Sequence, residues 1–335
     1  RAHRRMPGMS APLPNSYPVE ITPPDITPWA KGNTGVPYVH RLESGSPGPS
    51  VMIAAVVHGN EPCGAVALDW LLRMGFTPRR GSLTLAFMNH AAYAAFDAAD
   101  PNATRWLDED FNRLWGPGRL DTGTPTRERE RAREVAARVA EADYLLDIHS
   151  FQHPGPPLAM AGWCEKGVAL ARGTGLPQRI VMDRGHAAGM RMRDHGAFGE
   201  PGAAPAALLL ECGQHWAAAA ADLALAATCR FLRHLHLADE RLVSTLSGTA
   251  RTLADAPAPP QQVFEVTEAV TIESTEGFRF AEAFTGGEIL EKAGTLIGHD
   301  GARPVRTPYD DCLLVMPSMR LWRGQTAVRL ARRKR

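Results

Sequence analysis

Three short apolar runs in this chain each end in a charged or metal-capable side chain, and that repetition limits the fold more than any other feature. Val51 to Val57 leads into His58-Gly59-Asn60-Glu61, Tyr144 to Ile148 into His149-Ser150, and Ala206 to Leu210 into Glu211-Cys212-Gly213. Runs that are apolar throughout suit strands covered on both faces. Pro62 fits a first helical turn, where its missing N–H costs nothing, and Cys63 to Met74 can continue as a helix. Strands alternating with helices predict a largely parallel, helix-covered sheet, and such sheets place their sites along the carboxyl edge.

The strand-end residues define a chemistry. His58 and Glu61 are spaced His-x-x-Glu, and imidazole nitrogen and carboxylate oxygen are both good zinc ligands. Three protein ligands leave one position for water, and His149 is the best third ligand. Asp147, two residues earlier, can buttress its neighbour, as metal-bound histidines usually require. Glu211 supplies a further carboxylate. The segment Thr104 to Arg113 adds Arg105, Asn112 and Arg113, and guanidinium groups grip carboxylates in a planar, two-pronged manner. Metal, general base and anion clamp together describe a hydrolase for a carboxylate-bearing substrate.

Taken singly, each motif has a plainer reading. His58 and Glu61 could be a helix-start histidine and a first-turn carboxylate, and Glu211 a strand-end carboxylate paired with an arginine. Together they resemble the succinylglutamate desuccinylase and aspartoacylase family, a branch of the zinc carboxypeptidase superfamily. The matching pieces are His58-Gly59-Asn60-Glu61, Asp108 to Arg113 as Asp-x-Asp-x-Asn-Arg, Asp147-Ile148-His149-Ser150, and Glu211 followed by Gly213. The resemblance implies one zinc ion per chain held by His58, Glu61 and His149, with Glu211 taking a proton from water and delivering it to the departing amine. It also implies that Arg105 polarises the scissile carbonyl, while Asn112 and Arg113 hold a substrate carboxylate. The expected reaction is cleavage of an N-acyl amino acid or related amide. The alternatives are a metallocarboxypeptidase acting on peptides and a non-catalytic metal- or anion-binding relative.

Other residues carry less signal. His90, His153, His186, His195, His215 and His299 lack a ligand-spaced partner, although His215 follows Glu211 closely enough to line the site. Arg191 and Arg193 read as exposed. Cys63 and Cys212 flank the site and read as small core residues.

The 335 residues divide into an extended N-terminal arm (1–35), a hydrolase domain (36–250), a linker (251–260) and a small β-rich domain (261–335). The linker is marked by Leu253 to Pro260, and the glycine-broken strands after it resemble the barrel-sandwich domain appended to some family members. Lys292 lies in Glu-Lys-Ala rather than a carrier hairpin, which points to a structural or cleft-shaping role. Thr126 is placed to cap a helix over Arg127 to Glu141 whose Arg/Glu pattern predicts a solvated face, and His215 to Leu237 reads as another helix. A net charge of +1 gives no reason to invoke nucleic acid or a membrane surface. No apolar stretch approaches bilayer length, and five scattered cysteines form no paired framework, which suits a reducing cytoplasm. The expected partner is a small N-acyl amino acid-like molecule, and the sequence leaves a homo-oligomer open.

Overall fold

The computed structural model describes residues 13–334, so the Arg1 to Arg5 cluster and the first part of the expected arm lie outside the described residues. The rest of the arm runs over the surface. Ile21 and Ile26 are buried in the core, and the N–H groups of Glu20 and Ile21 both donate to the Trp216 carbonyl at 2.8 and 3.1 Å.

The chain then forms β1 (Val39–Glu43), β2 (Ser50–Ala55), α1 (Cys63–Arg73), β3 (Ser82–Phe87), α2 (His90–Ala94), α3 (Arg127–Ala140) and β4 (Tyr144–Phe151). There follow β5 (Leu158–Met160), α4 (Glu165–Thr174), β6 (Arg179–Met182), β7 (Ala206–Gln214) and α5 (Ala218–His234). These strands lie in the order β1-β3-β2-β4-β7-β5-β6. Four of the six pairings are parallel, namely β2 with β3, β2 with β4, β4 with β7 and β5 with β6. The apolar runs therefore behave as expected, and their alternation decides the layers. Val51, Ile53 and Ala55 pack on one face with the apolar side chains of α1, α4 and α5, while Met52 and Ala54 join Ala132, Val135 and Val139 of α3 on the other.

Two short helices, α6 (Arg241–Ser244) and α7 (Gly248–Asp255), lead to the C-terminal strands. Leu253 to Asp255 thus finish a helix, and irregular chain begins only at Ala256. The strands are β8 (Gln262–Thr271), β9 (Phe278–Phe280), β10 (Ile289–Leu290), β11 (Leu296–Asp300), β12 (Arg303–Arg306), β13 (Cys312–Val315) and β14 (Thr326–Arg333). β8 adds in parallel to β6, so the large sheet continues through β14, β13 and β10 to eleven strands. A three-stranded antiparallel sheet, β12-β11-β9, stands apart from it. Val270, Phe278, Ile297, Leu314 and Val328 form an apolar cluster drawn from both sheets.

Among the described residues no helix is long and apolar enough to cross a membrane. Leu208 lies in the centre of β7 with no exposed surface. Leu208→Ala is expected to cost about 2–5 kcal/mol in urea unfolding followed by tryptophan fluorescence. A loss under roughly 1 kcal/mol would show that the cavity collapses or that the central sheet is not the cooperative core.

Candidate metal and substrate site

β2 ends two residues earlier than the apolar run suggests. Val56 takes φ +51°, a conformation rarely adopted by a β-branched residue, and it turns the chain out of the sheet. Gly59 follows against other backbone. A Cβ there would sit 2.4 Å from both the Ala92 carbonyl carbon and the Thr104 oxygen, so no side chain fits. Its N–H donates to the Arg105 carbonyl at 3.0 Å, tying the His58–Glu61 turn to the arginine segment.

The turn brings three donors together. One ligand atom from each of His58, Glu61 and His149 lies within 4.8 Å of the others, and all three residues are buried. His58 Nδ1 is 2.9 Å from Glu61 Oε1, and His149 Nδ1 is 3.0 Å from Glu61 Oε2. Each imidazole has a second carboxylate behind it. His58 Nε2 lies 2.9 Å from Asp110 Oδ1, and His149 Nε2 lies 3.0 Å from Asp147 Oδ2. Asp147 and His149 share a face of β4 because they are two residues apart. Burial opposes charge on Glu61, yet the two histidines outweigh it and hold the carboxyl well below its usual range. Burial likewise opposes charge on His149, and Asp147 with Glu61 overcomes it and raises the imidazole. The pocket thus favours positive charge between a carboxylate and two imidazoles, and this donor set fits a divalent ion such as zinc.

Glu211 is the register partner of His149 across β4 and β7. Burial, the largest influence, pushes its carboxyl up to about 8, and Oε2 has no partner among the described residues. Between His149 and Phe151 the pairing slips, opposite Gly213 at φ +122°, and this irregularity re-aims the chain that follows. His215 lies in that stretch, ahead of α5 rather than inside it, with Nδ1 2.8 Å from Ser150 Oγ.

The arginine segment is held from behind by a helix. Glu128 of α3 is fully buried and accepts from the N–H groups of Leu107, Asp108 and Glu109 at 2.7, 3.0 and 3.4 Å, and from Asn89 Nδ2 at 3.1 Å. Arg131, also buried, donates to the carbonyls of Met88, Phe87 and Pro37. The helix does present the expected solvated face through Arg127, Glu130, Arg133 and Glu134, but Glu128, Arg129 and Arg131 turn inward because backbone groups there need partners. Asp110 caps a short 3-10 turn at Phe111–Arg113 and braces His58. Asn112 Oδ1 accepts from the Met192 N–H at 2.9 Å, which leaves its amide N–H groups free to donate. Among the described residues Arg113 bonds only the Asn112 carbonyl, and burial lowers its guanidinium to about 10. Arg105 donates to Glu61 at 2.8 Å and keeps Nε unpartnered.

Residues 47–235 match the model of the succinylglutamate desuccinylase/aspartoacylase catalytic domain. The chain belongs to this family. No curated protein matches it. Among solved structures it is similar to the succinylglutamate desuccinylase of Vibrio parahaemolyticus, at 16% identity and TM-score 0.62, over 89% of this chain and 87% of that one. It is similar also to the succinylglutamate desuccinylase/aspartoacylase of Rhodobacter sphaeroides, at 16% identity and TM-score 0.61, over 90% and 89%. The product-bound ectoine utilization protein of Ruegeria pomeroyi aligns at 18% identity and TM-score 0.58, over 88% of each chain. At these identities the structures establish the fold, and the family is one of hydrolases that act on N-acyl amino acids.

The cluster opens into a cavity of about 750 Å³ lined by His58, Glu61, Arg105, Asn112, Arg113, His149 and Glu211 together. The C-terminal part of the chain also lines it, through Thr285, Met316 and Arg320 from loops and Arg329 from β14. Arg191 and Arg193, expected to be exposed, are buried. Arg191 pairs with Asp183 at 2.6 Å and Asp194 at 2.9 Å and reaches the cavity, while Arg193 donates to the Ala161 and Ala207 carbonyls. Arg329 shares Asp183 at 3.0 Å, and Arg320 lies over the Trp106 ring. No spacing signal marks Arg320, Arg329 or Glu128, because their partners lie far along the chain.

Glu128→Ala would strand three loop amides and cost about 1–3 kcal/mol locally. Hydrogen exchange is expected to accelerate at Leu107 to Glu109 with little change in β4. Unchanged protection at those amides would remove Glu128 as the anchor.

Proposed function

We propose that this chain is a zinc-dependent amidohydrolase that cleaves the amide bond of an N-acyl amino acid or a related carboxylate-bearing amide. The observation that carries the reading is the buried His58–Glu61–His149 cluster with Glu211 in register beside it. Zinc in that cluster would supply Lewis acidity at the scissile carbonyl and acidify a neighbouring water.

The chain's own groups then divide the work. Arg113 and the amide N–H groups of Asn112 hold the substrate carboxylate, and this fixes the amide relative to Glu61. Arg105, anchored on Glu61, places a second cation where negative charge develops on the carbonyl oxygen. Glu211 takes a proton from the attacking water and passes it to the nitrogen as the C–N bond breaks, so the products are a free acid and a free amine. A cation beside Glu211 would draw its carboxyl back below about 8, which suits it to accept a proton near neutral pH. A cavity of about 750 Å³, bounded by Met316 and Arg320, suits one small N-acyl amino acid better than a long peptide.

A hydrolysis screen tests this directly. Zinc-loaded protein should release free amine from N-acetyl, N-succinyl or N-formyl amino acids faster than from short peptides. Faster peptide cleavage would favour the carboxypeptidase alternative, and zinc binding without any turnover the non-catalytic one. Glu211→Gln is expected to retain zinc while kcat falls by about 10²–10⁴-fold; normal turnover in that variant removes Glu211 from the mechanism. Arg113→Ala should chiefly raise KM for carboxylate substrates, and an unchanged KM would place the clamp elsewhere.

A further inference from the structure

One polar pair beside the metal cluster is unused by the scheme above. Ser150 and His215 are both buried, at 3% and 2% exposure, with Ser150 Oγ 2.8 Å from His215 Nδ1. The His215 N–H donates to the Phe151 carbonyl at 2.9 Å, so backbone and ring are both held. Ser150 is itself fixed, since its N–H donates to Glu61 Oε2 at 3.2 Å. His215 Nδ1 comes within 4.0 Å of Glu61 Oε1, and the residue lines the cavity. Its Nε2, however, bonds nothing among the described residues.

A second unpartnered group lines the same cavity. Asn60 lines the cavity, is buried, and leaves Oδ1 without a partner. Its carbonyl accepts from Trp216 Nε1 at 3.1 Å, which joins the Asn60 turn to the His215-Trp216 segment. Buried polar groups without partners are uncommon, and Asn60 Oδ1 in the same cavity lining as the unbonded His215 Nε2 points to a ligand that meets both.

Their position says which part of a ligand. His215 is tied to the end of β4 through the Phe151 carbonyl and comes within 4.0 Å of Glu61, whereas Arg113 sits in the 3-10 turn Phe111–Arg113 and bonds the Asn112 carbonyl. The two therefore reach the cavity from different segments, His215 from the strand ends and Arg113 from the arginine segment.

We propose that His215, oriented by Ser150, is a substrate-contacting residue that donates from Nε2 to an uncharged oxygen of the acyl half, with Asn60 beside it. The proposal rests on the amidohydrolase reading for which half of the substrate lies there. With Ser150 Oγ–H donating to Nδ1, a neutral ring carries its proton on Nε2, the tautomer needed for donation.

Two substitutions separate contact from scaffold. Glutamine can place an amide N–H near the position of Nε2, whereas asparagine mimics Nδ1 alone. His215→Asn should lower kcat/KM on N-acyl amino acids by about tenfold, and His215→Gln should recover most of that loss, with zinc stoichiometry unchanged in both. Equal losses in the two variants, or loss of zinc from both, would overturn the proposal and leave His215 as a support. A second measurement does not depend on turnover. Zinc-loaded Glu211→Gln protein is titrated calorimetrically with N-acetyl-L-glutamate and N-succinyl-L-glutamate, with and without His215→Asn. Weaker binding in the double variant supports the contact even if the wild type hydrolyses nothing, an outcome that sinks the hydrolase reading alone. Binding indifferent to His215, or no binding of either compound, counts against the contact itself.

Discussion

The carboxylate of Glu61 is where the separate parts of this molecule meet. Its two oxygens face His58 and His149, take a guanidinium N–H from Arg105, and accept the Ser150 peptide N–H. Those groups come from the end of β2, the end of β4 and the arginine segment. A carboxylate with 1% exposure is costly to keep charged unless positive charge surrounds it. The cluster therefore holds three chain segments in one arrangement and brings two imidazoles and a carboxylate close enough that they could hold a metal ion. Without Glu61, Asp110 and Asp147 would still sit behind the two imidazoles, but no carboxylate would lie between them or hold Arg105.

Around that centre the fold uses buried charge as structure. Glu128 and Arg131 project from one face of α3, and each satisfies backbone groups of a neighbouring segment rather than water. Glu128 collects three successive peptide N–H groups, which gives the Arg105 to Arg113 segment a fixed path without regular secondary structure. Asp183, buried behind the cavity lining, joins Arg191 to Arg329 of β14, both of which reach the cavity. The C-terminal strands thereby become part of the cavity as well as an extension of the sheet.

Much of the site was legible because a strand buried on both faces needs a long apolar run, and the residue ending that run must be polar. His58, His149 and Glu211 were found by that rule, and Glu61 by its spacing from His58. The rule failed where a local pattern had a distant cause. The Arg/Glu alternation of α3 looks solvated until the backbone groups of residues 37, 87 and 107 arrive beside it. Arg191 and Arg193 look exposed until Asp183, Ala161 and Ala207 are placed around them. Val56 extends the apolar run by composition, yet it leaves the strand because the next residues must reach the cluster.

The order of apolar runs and their polar ends was enough to point to a largely parallel, helix-covered sheet and to the candidate ligands at its strand ends, but not to the C-terminal strands that extend it. Each of those follows from burial and periodicity, which act between near neighbours in the chain. Only the tertiary structure decided which charges face inward, that Arg329 and Asp183 meet across 146 positions, and that Ser150 and His215 form a pair. Such contacts depend on how segments distant in sequence stack in space, and no local spacing records that.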